Sequence, residues 1–185
     1  MGLKQDKFLK FLEDFKIDIK DESEVFEWFK IKRRFPHEFH TQRPCVEVIN
    51  SYDGESQHRG LFDPEGFIDI ERLKEYYNNN HTIIMSNALD LHEDLRRLEK
   101  YLQKTFGFFP GHGNLYFSKD TGSFPSHDHQ YDVMIKQIYG TCFWKIGGDN
   151  DVVLAPGDVL YVPKRTTHYV NKVNGPRLSL TLNMR

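Results

Sequence analysis

The stretch GSFPSHDHQYDVMIKQIYGTCFW, residues 122–144, decides how the chain is read. His127 and His129 stand two apart, so on an extended strand both side chains leave the same face and can close on one ion. A third ligand comes from PGDVLYVPKRTTHYV, residues 156–170: a turn at Pro156, Gly157 and Asp158, an apolar run over 159–162, then Pro163 and His168. That is a second strand followed by a histidine. Three neutral imidazoles suit Fe(II), Zn, Cu or Ni and suit Mg or Ca poorly, because those ions prefer hard oxygen ligands. The spacing predicts a metal site made of His127, His129 and His168.

Around this stretch the chain reads as short strands separated by Gly, Pro and Asn, over 114–117, 131–139, 141–146, 152–154, 158–162, 168–173 and 178–184. So many strands packed so closely predict an all-β sandwich or barrel with helices outside it. The helices come earlier. Phe8, Phe11, Leu12 and Phe15 recur at helical spacing and predict an amphipathic helix that lays an aromatic stripe on a neighbour. Val25, Phe26 and Phe29 predict a short helix after Ser23, and the basic run KIKRR at 30–34 reads as a solvated helix end. Residues 45–49 alternate like a strand, and 50–66 read as a long loop. Asp69 can cap a helix carrying Leu73, Tyr76 and Tyr77, and a strand over 82–85 follows. Asp90 and Glu93 have capping-box spacing for a helix lined by Leu91, Leu95, Leu98, Leu102 and Phe106, which Gly107 ends.

At 185 residues the chain is expected to form one domain, 1–185, with a mostly helical support over 1–107 and a β-barrel core over 108–185. A 38% hydrophobic fraction with 15 Phe and 9 Tyr argues for a packed globule and against disorder. The net charge of −2 provides no global positive field for nucleic acid or anionic membrane, and no apolar run reaches the length of a membrane span. Cys45 and Cys142 fit reduced thiols better than a disulfide scaffold, so cytoplasm is the expected compartment.

From Leu73 onward the sequence resembles the cupin-type JmjC oxygenases, especially the branch that hydroxylates ribosomal proteins. The resemblance is carried by the strand at 81–85, an Asn-Leu-Tyr strand at 114–116, the segment HDHQYDV at 127–133, then Gln137, Gly140, Trp144, the 156–158 turn, Pro163 and His168. It implies a double-stranded β-helix, the cupin/JmjC jelly roll, with non-haem iron inside and 2-oxoglutarate as co-substrate for hydroxylating a protein or peptide side chain. Asn114, Tyr116, Tyr131, Cys142, Asn183 and Arg185 are then the candidates to bind co-substrate or substrate.

Two positions depart from the resemblance. The family pattern is His-x-Asp or His-x-Glu, and here His129 takes the carboxylate's place. That exchange raises the net charge of an Fe(II) site by one and removes an anionic donor. The Lys or Arg that grips the distal carboxylate of 2-oxoglutarate is replaced by Cys142, which as a thiol cannot make a charge-assisted bond. Lys136 and Lys145 alternate to the outer face, so Arg185 is the candidate cation, on the polar stripe Ser179, Thr181, Asn183, Arg185. The alternative for that stripe is an ordinary solvent face. Val133 occupies the position of a general cupin glutamate, so the site is expected to offer three histidines and open coordination positions.

Three readings stand open. One is an Fe(II)-dependent JmjC-type oxygenase, or one using another divalent transition metal, that hydroxylates a peptide, protein or small molecule with O2 and 2-oxoglutarate. The second is a three-histidine cupin dioxygenase that works without 2-oxoglutarate. The third is a non-enzymatic cupin that binds a metal, ligand or partner.

Overall fold

The computed structural model describes residues 2–31, 45–50, 54–57, 60–107, 113–120, 125–148 and 150–184. Among them are helices α1 (Gly2–Asp14), α2 (Glu22–Phe29), α3 (Ile70–Asn78) and α4 (Glu93–Phe106). The strands are β1 (Val46–Asn50), β2 (Ser56–Gln57), β3 (His81–Met85), β4 (Gly113–Ser118), β5 (Asp132–Ile146), β6 (Asn150–Leu154), β7 (Val159–Val162) and β8 (His168–Met184). They form one antiparallel sheet in the order β2-β1-β3-β4-β8-β5-β6, with β7 also on β5. The fold is mainly β with flanking helices, as the spacing of strands and turns predicts.

Two pairs of predicted strands are each continuous. Residues 132–139 and 141–146 belong to β5, with Tyr131 just before it, and 168–173 and 178–184 belong to β8. Both long strands change phase where they cross. In β5, Val133 and Ile135 face inward, and beyond a bulge at 137–141 the inward positions are Cys142 and Trp144. Gly140 permits this crossing, because its φ is +71° and a Cβ on it would stand 1.8 Å from the carbonyl oxygen of Pro176 on β8.

The sheet therefore has two packed faces. The inner faces of both halves of β5 and β8 meet β6 and β7 around Val133, Ile135, Cys142, Trp144, Leu154, Val162, Val170 and Val173, so the sheet curls around this cluster. The other face, with Leu178, Leu180, Leu182, Leu115 and Phe117, lies under the helices. Three strands of the sheet, β1, β2 and β3, come from residues before 108, so that part of the chain contributes sheet as well as helical cover.

Each helix turns most of its predicted stripe inward, although Phe15 follows the end of α1 and Leu91 precedes α4. Phe8 meets Phe106 edge-on at 4.9 Å, and Phe11 stacks on Tyr101 at 3.7 Å, so α1 lies against the end of α4. Phe26 and Phe29 of α2 pack on Phe117 of β4 at 5.2 and 6.1 Å. Asp21 caps α2, accepting from the amides of Ser23 and Glu24, and Asp69 caps α3 through the amide of Arg72. The expected capping box of α4 is corrected: Asp90 ends a 3₁₀ turn, Ala88–Asp90, and the cap is His92, whose ring accepts from the amide of Asp94. Gly107 closes α4 in the left-handed conformation, as expected. Of the basic run at 30–34, residues 32–34 lie outside the described residues. No described helix is long and apolar enough to cross a membrane. Neither Cys45 nor Cys142 forms a disulfide, and both are buried.

Candidate metal centre

Two backbone segments are strapped together to make the site. His127 and His168 pair across an antiparallel bridge, His127 N donating to His168 O at 3.3 Å and His168 N to His127 O at 2.8 Å. Arg165 N donates to His129 O at 2.7 Å, and Lys164 N donates to Asp132 Oδ1 at 2.9 Å. The 163–167 turn is thus fastened to the 127–132 segment on both sides of the histidines. Asp132 serves as a strand-end acceptor.

The three histidines converge. One ligating atom from each of His127, His129 and His168 lies within 4.8 Å of the other two. Their ring centroids are separated by 5.0 Å (127 to 129), 4.6 Å (127 to 168) and 5.2 Å (129 to 168). Nδ1 of His127 lies 2.9 Å from Pro125 O, and Nδ1 of His168 lies 2.9 Å from Thr166 O. A carbonyl accepts only, so each Nδ1 carries the proton and each Nε2 keeps its lone pair for an ion. Burial holds the His168 pKa below the usual imidazole range; the neighbouring His127 adds to that, while the Thr166 carbonyl and Asp128 oppose it. A neutral imidazole is the ligating form. His129 stacks on Tyr131, with centroids 5.0 Å apart and rings 10° from parallel. The donor set, the fixed tautomers and the convergence fit a divalent transition metal.

The cavity beside the histidines is lined by Tyr116, Val133, Ile135, Trp144, Ser179 and Thr181, among others. Its heart has about 30 Å³, room for about two waters, inside about 410 Å³ of space that reaches solvent. The polar stripe of β8 is buried: Ser179 and Thr181 line the cavity, and Asn183 follows them along the strand. Asn114 is buried opposite Thr181 on β4. Lys136 faces away from the cavity, its Nζ donating to Gly157 O at 2.6 Å, and Lys145 pairs with Asp151 at 3.0 Å. Arg185 lies outside the described residues.

Sequence reasoning missed Arg177. It is 1% exposed and lines the same cavity as the histidines. Its guanidinium neighbours the Cys142 thiol, so a cation stands beside the position where the sequence resemblance implies a Lys or Arg. Burial pushes the Cys142 thiol up, against the opposing pull of Arg177. The signal was available in the sequence: Arg177 shares the parity of Ser179, Thr181 and Asn183.

A JmjC domain profile matches residues 148–185. The NO66 protein of Branchiostoma floridae, named as a bifunctional lysine-specific demethylase and histidyl-hydroxylase, is 28% identical over 123 residues. The match covers 65% of this chain and 20% of that protein. Mouse ribosomal oxygenase 2 is 23% identical over 159 residues, covering 74% of this chain and 33% of the relative. The chain therefore spans a fifth to a third of the length of these curated relatives. A crystal structure of the Escherichia coli ribosomal oxygenase YcfD superposes with a TM-score of 0.63 at 19% identity, over 91% of this chain and 45% of that one. The same protein in complex with cobalt and 2-oxoglutarate superposes with a TM-score of 0.58 at 18% identity, over 91% of this chain and 45% of that one. At these identities the structural likeness shows the fold, a jelly roll shared with YcfD.

Proposed function

We propose that this chain, a JmjC/cupin protein resembling the ribosomal oxygenases, is a non-haem Fe(II)-dependent oxygenase that hydroxylates a peptide, protein or small molecule with O2 and 2-oxoglutarate. The carrying observation is the convergence of His127, His129 and His168 at the wall of a cavity open on one side, with two of the three rings locked so that Nε2 is available. Bound Fe(II) would supply the redox chemistry with O2 that no side chain of the cavity can.

The chain's own residues supply the rest. The carbonyls of Pro125 and Thr166 fix two ligand rings before an ion arrives, which limits the reorganisation that binding requires. Tyr131 holds the plane of the third ring. Trp144, with its ring 6.3 Å from His168, and the apolar Val133 and Ile135 exclude bulk water and shield reactive species from side reactions. A substrate would approach from the open side of the cavity, where His127 and His129 are half-buried.

A second reading is favoured by His129 itself. Three neutral donors match a cupin dioxygenase that adds O2 to a directly bound substrate, without 2-oxoglutarate. Anaerobic Fe(II) titration followed by 2-oxoglutarate separates the two. The proposal expects stoichiometric iron, a weak visible charge-transfer band on adding 2-oxoglutarate, and O2 uptake that requires it. Iron binding with no such band moves the assignment to the second reading, and failure to bind Fe(II) overturns both.

A further inference from the structure

We infer that Arg177 is the carboxylate anchor of this cavity, gripping the distal end of a short dicarboxylate such as 2-oxoglutarate from β8, in place of a cation at the Cys142 position on β5. The ligand's other end rests on the metal reading above.

The guanidinium is held in a defined plane. Its Nε donates to Ser118 Oγ on β4 at 2.9 Å, and its Nη1 donates to Ser179 Oγ on its own strand at 3.3 Å. Ser179 Oγ donates onward to Gln137 Oε1 at 2.7 Å, and Gln137 Nε2 is tied to the carbonyls of Tyr139 and Gly140 at 2.8 and 3.1 Å. The anchor is therefore braced against the β5 bulge. A planar fork of N–H donors fixed this way matches a carboxylate's two oxygens.

Cys142 and Arg177 meet from facing strands. A lysine or arginine at 142 would press a second cation onto the first, whereas a thiol leaves room for the guanidinium to occupy that corner. The two positions thus exchange roles, with one cation supplied from either strand.

Trp144 adds an independent sign of a ligand. It is 7% exposed and lines the same cavity, and its Nε1 is the one buried side-chain nitrogen or oxygen among the described residues without a hydrogen-bond partner. A ligand oxygen would satisfy that donor. The charges agree as well. Three neutral imidazoles leave a divalent ion at its full charge, Arg177 adds another, and a dianion balances most of the sum. The narrow heart of the cavity has room for a carboxylate, and the wider outer space for the remainder.

The test is calorimetric titration of the Mn(II)-loaded protein with 2-oxoglutarate under anaerobic conditions, with Mn(II) affinity measured separately for each variant. Arg177→Gln is expected to weaken 2-oxoglutarate binding roughly tenfold to hundredfold, the loss for a hydrogen-bonded charge, while Mn(II) affinity holds. Adding Cys142→Lys to Arg177→Gln should recover part of that loss by returning the cation from β5. A purely structural arginine would show no such rescue. If Arg177→Gln does not fold, Arg177→Lys gives the same direction with a smaller loss, because the charge stays and the fork goes. Titration of metal-free protein with glutarate keeps the anchor separate from the metal, since Arg177-dependent binding is expected there too. Equal 2-oxoglutarate affinity in wild type and Arg177→Gln, or wild type that holds Mn(II) and binds neither dicarboxylate, overturns the inference and leaves the metal site standing.

Discussion

Replacing Gly140 by alanine should destabilise the protein by roughly 4–5 kcal/mol, near the limit for single substitutions. Two contributions make up that figure. The residue sits at φ +71°, and placing an L side chain in the left-handed region costs about 1–2 kcal/mol. The larger part is contact: the new Cβ would stand 1.8 Å from Pro176 O, 2.9 Å from Pro176 C and 3.1 Å from Arg177 Cα. All three are backbone atoms of a paired strand, so relief requires β5 and β8 to part where they cross. Gly175 provides the control, because its φ is +75° and nothing lies within 4 Å of its would-be Cβ. Gly175→Ala should carry only the conformational cost of about 1–2 kcal/mol. Urea unfolding of both variants, with unchanged m values, isolates a difference of about 3 kcal/mol due to the close approach. Because Arg177 Cα is among the displaced atoms, Gly140→Ala should also weaken 2-oxoglutarate binding beyond its effect on Mn(II). If the two glycine variants lose the same stability, the account of the crossing is wrong.

A divalent metal at a hundredfold excess over its dissociation constant should stabilise the fold by about 2.7 kcal/mol. For a domain of this size that raises the melting temperature by roughly 5–11 °C, and His168→Asn should abolish the rise in differential scanning fluorimetry with Mn(II) or Co(II); an undiminished rise in that variant would place the ion elsewhere. Lys136→Met should leave stability at neutral pH within about 1 kcal/mol of wild type or raise it, since an apolar isostere replaces a buried charge. Burial holds the Lys136 pKa below its ordinary 10.5, so the folded protein releases this proton before the unfolded chain does. Wild type should therefore gain stability relative to Lys136→Met as the pH rises through the folded value toward 10.5, and paired urea titrations that show the opposite trend would contradict this. Cys142, buried and with its thiol pushed up, should resist a disulfide reagent at pH 8 until denaturant is added; rapid labelling of the native protein, followed by peptide mapping to Cys142, would contradict its placement.

The convergence of His127, His129 and His168 was legible because strand geometry has a strict period of two and because the 156–158 turn announces the strand before His168. The polar stripe of β8 was legible for the same reason from Ser179 onward. Its start was not, since Gly175 and Pro176 read as a break, and β8 runs through them because β5 bends at Gly140 to keep the pairing. That hid Arg177, whose role depends on Cys142 from another strand, a long-range contact that periodicity cannot express. The strands at 46–50 and 81–85 were readable as strands, but their membership of the main sheet is a matter of nonlocal pairing. His92 was missed as a cap because an imidazole seldom takes the place of a short oxygen-bearing side chain.

The bridge between His127 and His168 sits where the β5–β8 ladder ends, since His168 also pairs with Ile146. Ladder termini fray, and amides there exchange with solvent through small local openings. An ion held across this terminus makes each such opening require the release of a ligand, so loading should slow deuterium uptake at the amides of His127 and His168 and at Arg165, which donates to His129 O. Amides of Leu180 and Leu182, deep in the opposite half of β8, should be indifferent to the metal, so the difference between the two groups would measure how tightly the ion pins one end of the sheet.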